Sequence, residues 1–137
     1  MDLLNLPPLN TLGLYAAING LILLFLATMV VRRRVTTGTA IGDGGKEAMI
    51  QVQRAHGNAS EYVPIVLILM YAMASLGTPL WTLHVAGASL TLGRVLHAVG
   101  LYGTSGTSPG RLIGTLLTWF ALAFAAMAAI YAAVTAF

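Results

Sequence analysis

At 137 residues, 58% hydrophobic and only 8% charged, the chain lies far from a soluble domain's balance of about 45–50% apolar and about 25% charged. It has no cysteine, which excludes disulfides, thiolate nucleophiles and cysteine-ligated metals. Its net charge of +3 includes no basic stripe interleaved with aromatics, so nucleic acid is not an expected partner.

The chain opens with Asp2 and no base before Asn10, which argues against a cleaved signal peptide. Leu12 to Val31 is twenty residues without a charge, enough to span a hydrocarbon layer of about 30 Å. Asn19 and Gly20 interrupt it, reading either as a packing notch or as a buried amide bonded to a neighbouring helix. Arg32-Arg33-Arg34 closes the span. A loop follows, marked by Gly38 and the Gly42-Asp43-Gly44-Gly45 run.

Helical pattern resumes at Lys46 and continues to about Leu76, too long for a single crossing, so its first part should project from the bilayer. Gly77-Thr78-Pro79 is a short turn, and Leu80 to Tyr102 is the third span. A second polar loop, Gly103 to Gly110, precedes Arg111, which opens an alanine-rich fourth span. The expected fold is therefore an all-α integral membrane protein, one domain over 1–137, with spans of about 12–33, 50–76, 80–102 and 111–136 in an up-down-up-down bundle. All seven basic residues fall in or beside the two polar loops, so both loops should face the cytoplasm and both termini the other side.

The stretch Arg54-Ala-His-Gly-Asn58-Ala-Ser-Glu61-Tyr62-Val-Pro64 carries the chemistry. Arg54, Asn58 and Glu61 stand at i, i+4 and i+7, one helical face. Tyr62 to Leu76 is only fifteen residues, short of the roughly 20 a span needs, which draws Glu61 and Asn58 into or against the hydrocarbon. Counting forward from the same turn brings Arg94 and His97 to matching depths, so Glu61 is expected to meet Arg94 and Asn58 to lie near His97. A buried charge is tolerated there only when it is partnered.

Two readings of this cluster stand side by side: a structural ion pair that fixes the register of two helices, or a ligand site. Arg54, Arg94, Arg111 and one of Arg32 to Arg34 exceed Glu61 alone, which suits an anionic ligand with several carboxylates. His56 and His84 read as interfacial or packing residues, and the three histidines are too separated in depth for a metal site. Pro64 is expected to bend the second helix and free a carbonyl. Small residues such as Gly87, Gly93, Gly114, Ala121 and Ala125 allow close helix approach and suggest self-association.

Arg54-x-x-x-Asn58-x-x-Glu61 followed by Tyr62 and Pro64, with Gly93-Arg-Val-Leu-His97 on the third span, resembles the MAPEG family, membrane-associated proteins in eicosanoid and glutathione metabolism. The likeness runs from the first span to the fourth, and the short cysteine-free chain resembles a bacterial member of the microsomal glutathione transferase type. The resemblance implies a homotrimer in the bacterial inner membrane. It implies glutathione bound between subunits at the cytoplasmic side, and a transferase or peroxidase reaction on a lipophilic substrate that arrives through membrane lipid. It assigns Arg33, Arg54, Asn58, Glu61, Tyr62, Arg94 and His97 to glutathione binding, and Arg111 and Tyr102 to catalysis. Where relatives often carry a tyrosine four residues after the position of His97, this chain has Leu101, with Tyr102 rotated from it by about 100°. The rival expectations are a non-catalytic protein of the same fold with a structural Glu–Arg network and, more distantly, a transporter.

Overall fold

Among the described residues, five glycines with positive φ shape the connections, and they set where helices stop. Gly38 adopts φ 63°, ψ 28° and donates its N–H to the Val35 carbonyl at 3.3 Å, while the Thr39 N–H caps the Arg34 carbonyl at 3.1 Å. Gly42, Gly44 and Gly45 turn the loop that follows, and Gly77 makes the next turn. The computed structural model describes residues 6–102 and 106–135. It contains α1 (Pro8–Thr37), α2 (Glu47–Ser75), α3 (Leu80–Tyr102) and α4 (Pro109–Thr135).

α1 is longer than its apolar run at both ends. Pro8 opens it, because proline in the first turn gives up an N–H that would have no helical partner anyway. The arginine triplet does not stop it, since arginine is a good helix former whose stem can lie along apolar surface while its head reaches water. The αL glycine stops it four residues later. α2 runs without a break through Pro64, whose missing N–H leaves the carbonyl one turn earlier unpaired by the ladder.

The core is a stripe rather than a ball. Val63, Val66, Met70 and Met73 of α2 meet Leu83, Ala86 and Leu90 of α3 and Ala121 and Ala125 of α4, while Ala55 and Ala59 pack with Leu26 and Leu101 towards the basic end. Large apolar residues such as Leu21, Phe25, Ile68, Phe120 and Ile130 lie exposed on the outside, the arrangement a hydrocarbon solvent favours. Among the described residues, three helices, α1, α2 and α4, are long and apolar enough to cross a membrane. α3 carries Arg94 and His97, and it buries both.

α3 and α4 form the closest pair, while α1 packs on α2 and α3. The α3–α4 seam is built on glycine: a Cβ at Gly93 would stand 2.7 Å from Thr118 Oγ1 and 2.9 Å from the Gly114 carbonyl oxygen. Midway along α3, Thr91 Oγ1 accepts from the Asn19 side chain at 2.9 Å, so Asn19 is a buried amide joining two helices. Tyr15 Oη lies 3.2 Å from His84 Nδ1 in an edge-on ring contact, which makes His84 a packing residue.

Gly93→Val is expected to lower the unfolding temperature of the detergent-solubilised protein, at a cost of about 1–3 kcal/mol for overpacking. Gly20→Ala, with nothing within 4 Å of the added carbon, is expected to leave it unchanged or raise it.

Candidate functional site

The basic end of the bundle holds a polar cleft of about 450 Å³ walled by α2, α3, the start of α4 and the first loop. α2 supplies most of it. Gln53, Arg54, Gly57, Asn58 and Glu61 recur at helical spacing along one face, and Gly57 leaves the middle of that face bare. From α3 come His97, only 6% exposed, and Leu101.

Arg111 completes the cleft, and its position is fixed by a local device. Ser108 Oγ accepts the Arg111 backbone N–H at 3.2 Å and donates to the Gly100 carbonyl at 2.8 Å. Gly100 has no side chain, and a Cβ there would collide with the Arg111 backbone. The start of α4 is thereby pressed against the end of α3, which sets Arg111 beside His97.

Asp43 also lines the cleft, a residue that sequence reading placed only in a turn. Its loop is seated by two side chains. Arg34 donates to the carbonyls of Thr39, Ala40 and Gly42 at 3.3, 3.0 and 3.2 Å. Gln53 donates to the same Gly42 carbonyl at 2.8 Å. Asp43 Oδ1 accepts the Gly45 N–H at 2.8 Å, leaving Oδ2 for the cleft. The one available signal was a single acid among three glycines, two positions after an apolar Ile41.

Arg94 does not reach the cleft. It is 2% exposed and lies where α2, α3 and α4 meet. One guanidinium nitrogen donates to Asn58 Oδ1 at 2.5 Å and another to Thr118 Oγ1. The Tyr62 ring lies 5.7 Å from its central carbon, and the Tyr62 hydroxyl accepts the Trp119 indole N–H at 3.1 Å.

The expected Glu61–Arg94 pair is therefore corrected to Asn58–Arg94. Depth along the helices was not at fault; direction around α2 was. Ala55, Ala59, Val63 and Val66 define the buried stripe, and Glu61, two residues past Ala59, is turned about 200° from it. Glu61 is accordingly exposed on the cleft wall, while Asn58 faces inward between Arg94 and the cleft.

The Arg94 contact also settles which way the Asn58 amide points. A guanidinium has donors only, so the amide oxygen must face it, and the NH₂ group is left for the cleft. Asn58 is thus a donor to any ligand. With Arg94 withdrawn, the charged groups of the cleft are Arg54 and Arg111 against Asp43 and Glu61, two of each sign. The surplus of arginine expected at this site is not there.

Arg33 and Tyr102 lie elsewhere. With Met29, Arg32 and Thr36 they line a separate cleft of about 240 Å³ on the α1 side. Of the nine residues assigned by resemblance, Arg54, Asn58, Glu61, His97 and Arg111 share the polar cleft, Arg94 and Tyr62 stand behind it, and Arg33 and Tyr102 are not brought to it within one subunit.

Comparison with known proteins is consistent in kind. The MAPEG family model matches residues 12–131. Inner membrane protein YecN of Escherichia coli strain K12 is 37% identical over 110 residues, covering 80% of this chain and 82% of that protein. The YecN of Escherichia coli O6:H1 strain CFT073 is similar to the same extent. No solved structure gives a significant match.

Thr118→Val keeps the shape of the side chain but removes an acceptor from a buried guanidinium. It is expected to destabilise the bundle by about 1–3 kcal/mol, read as a lower unfolding temperature in detergent. Asn58→Asp, which keeps an oxygen for Arg94, is expected to leave that temperature unchanged or raise it.

Proposed function

Because the chain belongs to the MAPEG family, we propose that the polar cleft binds glutathione and that the protein is a membrane-embedded glutathione transferase or peroxidase. The observation that carries this reading is the make-up of the cleft: two arginines, two carboxylates and an amide held as a donor. Glutathione has two carboxylates and one ammonium, so it needs both signs. Arginine's planar fork matches a carboxylate, and Arg54 and Arg111 take that part. Glu61, with Asp43, receives the ammonium. Asn58 donates to a ligand acceptor.

Catalysis in this reading is positional and electrostatic. Positive charge at Arg111 and Arg54 favours the thiolate, which is the nucleophile. In conjugation the sulfur forms a bond to an electrophilic carbon of a lipophilic substrate, and the thiol proton leaves to solvent or to the leaving group. In peroxide reduction two glutathione molecules supply the electrons, giving disulfide, alcohol and water. Holding the thiolate against a substrate delivered from the bilayer supplies most of the effect. No side chain has to become covalently attached.

The rest of the reading follows the family and the relatives. The protein sits in a bacterial inner membrane as a homotrimer, with the basic end and its cleft at the cytoplasmic face and both termini outside. Arg33 and Tyr102 can serve glutathione only when it is held by another copy's cleft, and a trimer provides one. In the rival reading, a non-catalytic member of the same fold, the structural network would join the buried arginine to Asn58 and Thr118 in place of Glu61.

Calorimetric titration of the purified oligomer with glutathione tests the proposal. Saturable binding is expected, weakened at least tenfold (about 1.4 kcal/mol) in Arg54→Ala and measurably in Glu61→Gln. Absence of heat at millimolar glutathione, with folded and homogeneous protein, would sink it.

A further inference from the structure

Three enclosed side-chain atoms have no hydrogen-bond partner among the described residues: Asn19 Oδ1, Arg94 Nε and His84 Nε2. The last stands apart, because Tyr15 lies against Gly87, between His84 and the turn of α3 that holds Thr91. The other two are of opposite kind and belong to one stretch of α3.

Asn19 is fully buried. Both hydrogens of its amide are spent, one on the Tyr15 carbonyl and one on Thr91 Oγ1, each at 2.9 Å. A backbone carbonyl only accepts, so the amide cannot be turned over and its oxygen is left as a bare acceptor. Arg94 is its complement. Its two terminal nitrogens donate to Asn58 and Thr118, and the Nε–H is left as a bare donor. The Thr91 hydroxyl accepts from Asn19 and donates to no described residue.

These groups meet at one level. Thr91 and Arg94 stand at i and i+3, on one face of α3. Side chains on a helix lean towards its N-terminus, so the Arg94 stem passes back over the turn of Thr91. Asn19, bonded to Thr91, comes to the same turn from α1. The guanidinium excludes a cation there, and the bare amide oxygen excludes an anion. A small neutral group that both donates and accepts is what remains.

We propose that one enclosed water sits between Asn19, Thr91 and Arg94, accepting from the Arg94 Nε–H and the Thr91 hydroxyl and donating to Asn19 Oδ1. Enclosed waters ordinarily make about three hydrogen bonds to buried groups that would otherwise lack partners, which is the number offered here. Through this water Asn19 is a positioning residue. Arg94 fixes Asn58 from behind the polar cleft, and the water fixes Arg94 from α1, so that all four helices are tied to one guanidinium. The site lies inside one subunit and is the same whatever the cleft binds.

A crystal structure of the full chain, at a resolution that shows other enclosed waters, is expected to place a density peak about 3 Å from Asn19 Oδ1, Thr91 Oγ1 and Arg94 Nε. Asn19→Leu removes the acceptor and is expected to lose that peak. Isotope labelling of asparagine alone gives a second reading, because the chain has only four asparagines. The Asn58 side-chain resonances are expected to move in Asn19→Leu and to stay in place in Gly20→Ala, whose added carbon has nothing within 4 Å. If Asn19→Leu does not fold, the wild-type map decides alone. A map with no peak between the three atoms, or a peak kept in Asn19→Leu, overturns the proposal. So do Asn58 resonances that Asn19→Leu leaves unmoved, or that Gly20→Ala moves as far.

Discussion

A guanidinium buried among three helices is the constraint from which much of the basic end follows. Taking a charge out of water is expensive, and in a membrane protein the surroundings offer nothing in return. Arg94 is accommodated by an amide on α2, a hydroxyl on α4 and the face of Tyr62. Each of these partners is on a different turn or helix from the arginine, so all three helices are held at one level. The small residues beside it are part of the same arrangement. Gly93 precedes Arg94 and lets α4 come close enough for Thr118 to reach, and Thr118 in turn donates to the Gly114 carbonyl one turn back.

That junction also separates structural from chemical arginine. Arg94 lies behind Asn58 and acts on the cleft only through it, while Arg54 and Arg111 face the cleft directly. On the first helix the same division falls within three consecutive residues. Arg34 ties down a loop, and its two predecessors stand on a different groove. Residues of one type, close in sequence, are given unlike work by the rotation of a helix.

Much of this was legible beforehand. The four helices are written in long, mostly apolar runs bounded by Gly38, Gly77-Thr78-Pro79 and the polar stretch before Arg111. The face Arg54, Asn58, Glu61 was legible from spacing, and the depth of Arg94 from counting along two helices joined by a short turn. What counting cannot supply is azimuth, and azimuth exchanged Glu61 for Asn58 as the partner of Arg94. Thr118 was hidden because a threonine in an alanine-rich helix reads as filler until its neighbour is known. Asp43 was hidden because the path of a loop depends on side chains eight and more residues away, Arg34 and Gln53, whose targets are backbone carbonyls. Arg33 and Tyr102 came from resemblance, and family likeness does not say which subunit a residue serves.

The loop over the cleft has one further property. The Gly42 carbonyl uses both of its lone pairs, one for a donor from α1 and one for a donor from α2. Connecting segments on protein surfaces ordinarily tolerate added or missing residues. Here the distance from Gly38 to Lys46 works as a ruler between two helices, and its next mark along the chain is the carboxylate at the cleft. Changing the length of this segment by a single residue would shift Asp43 along that ruler without altering any residue of the cleft itself.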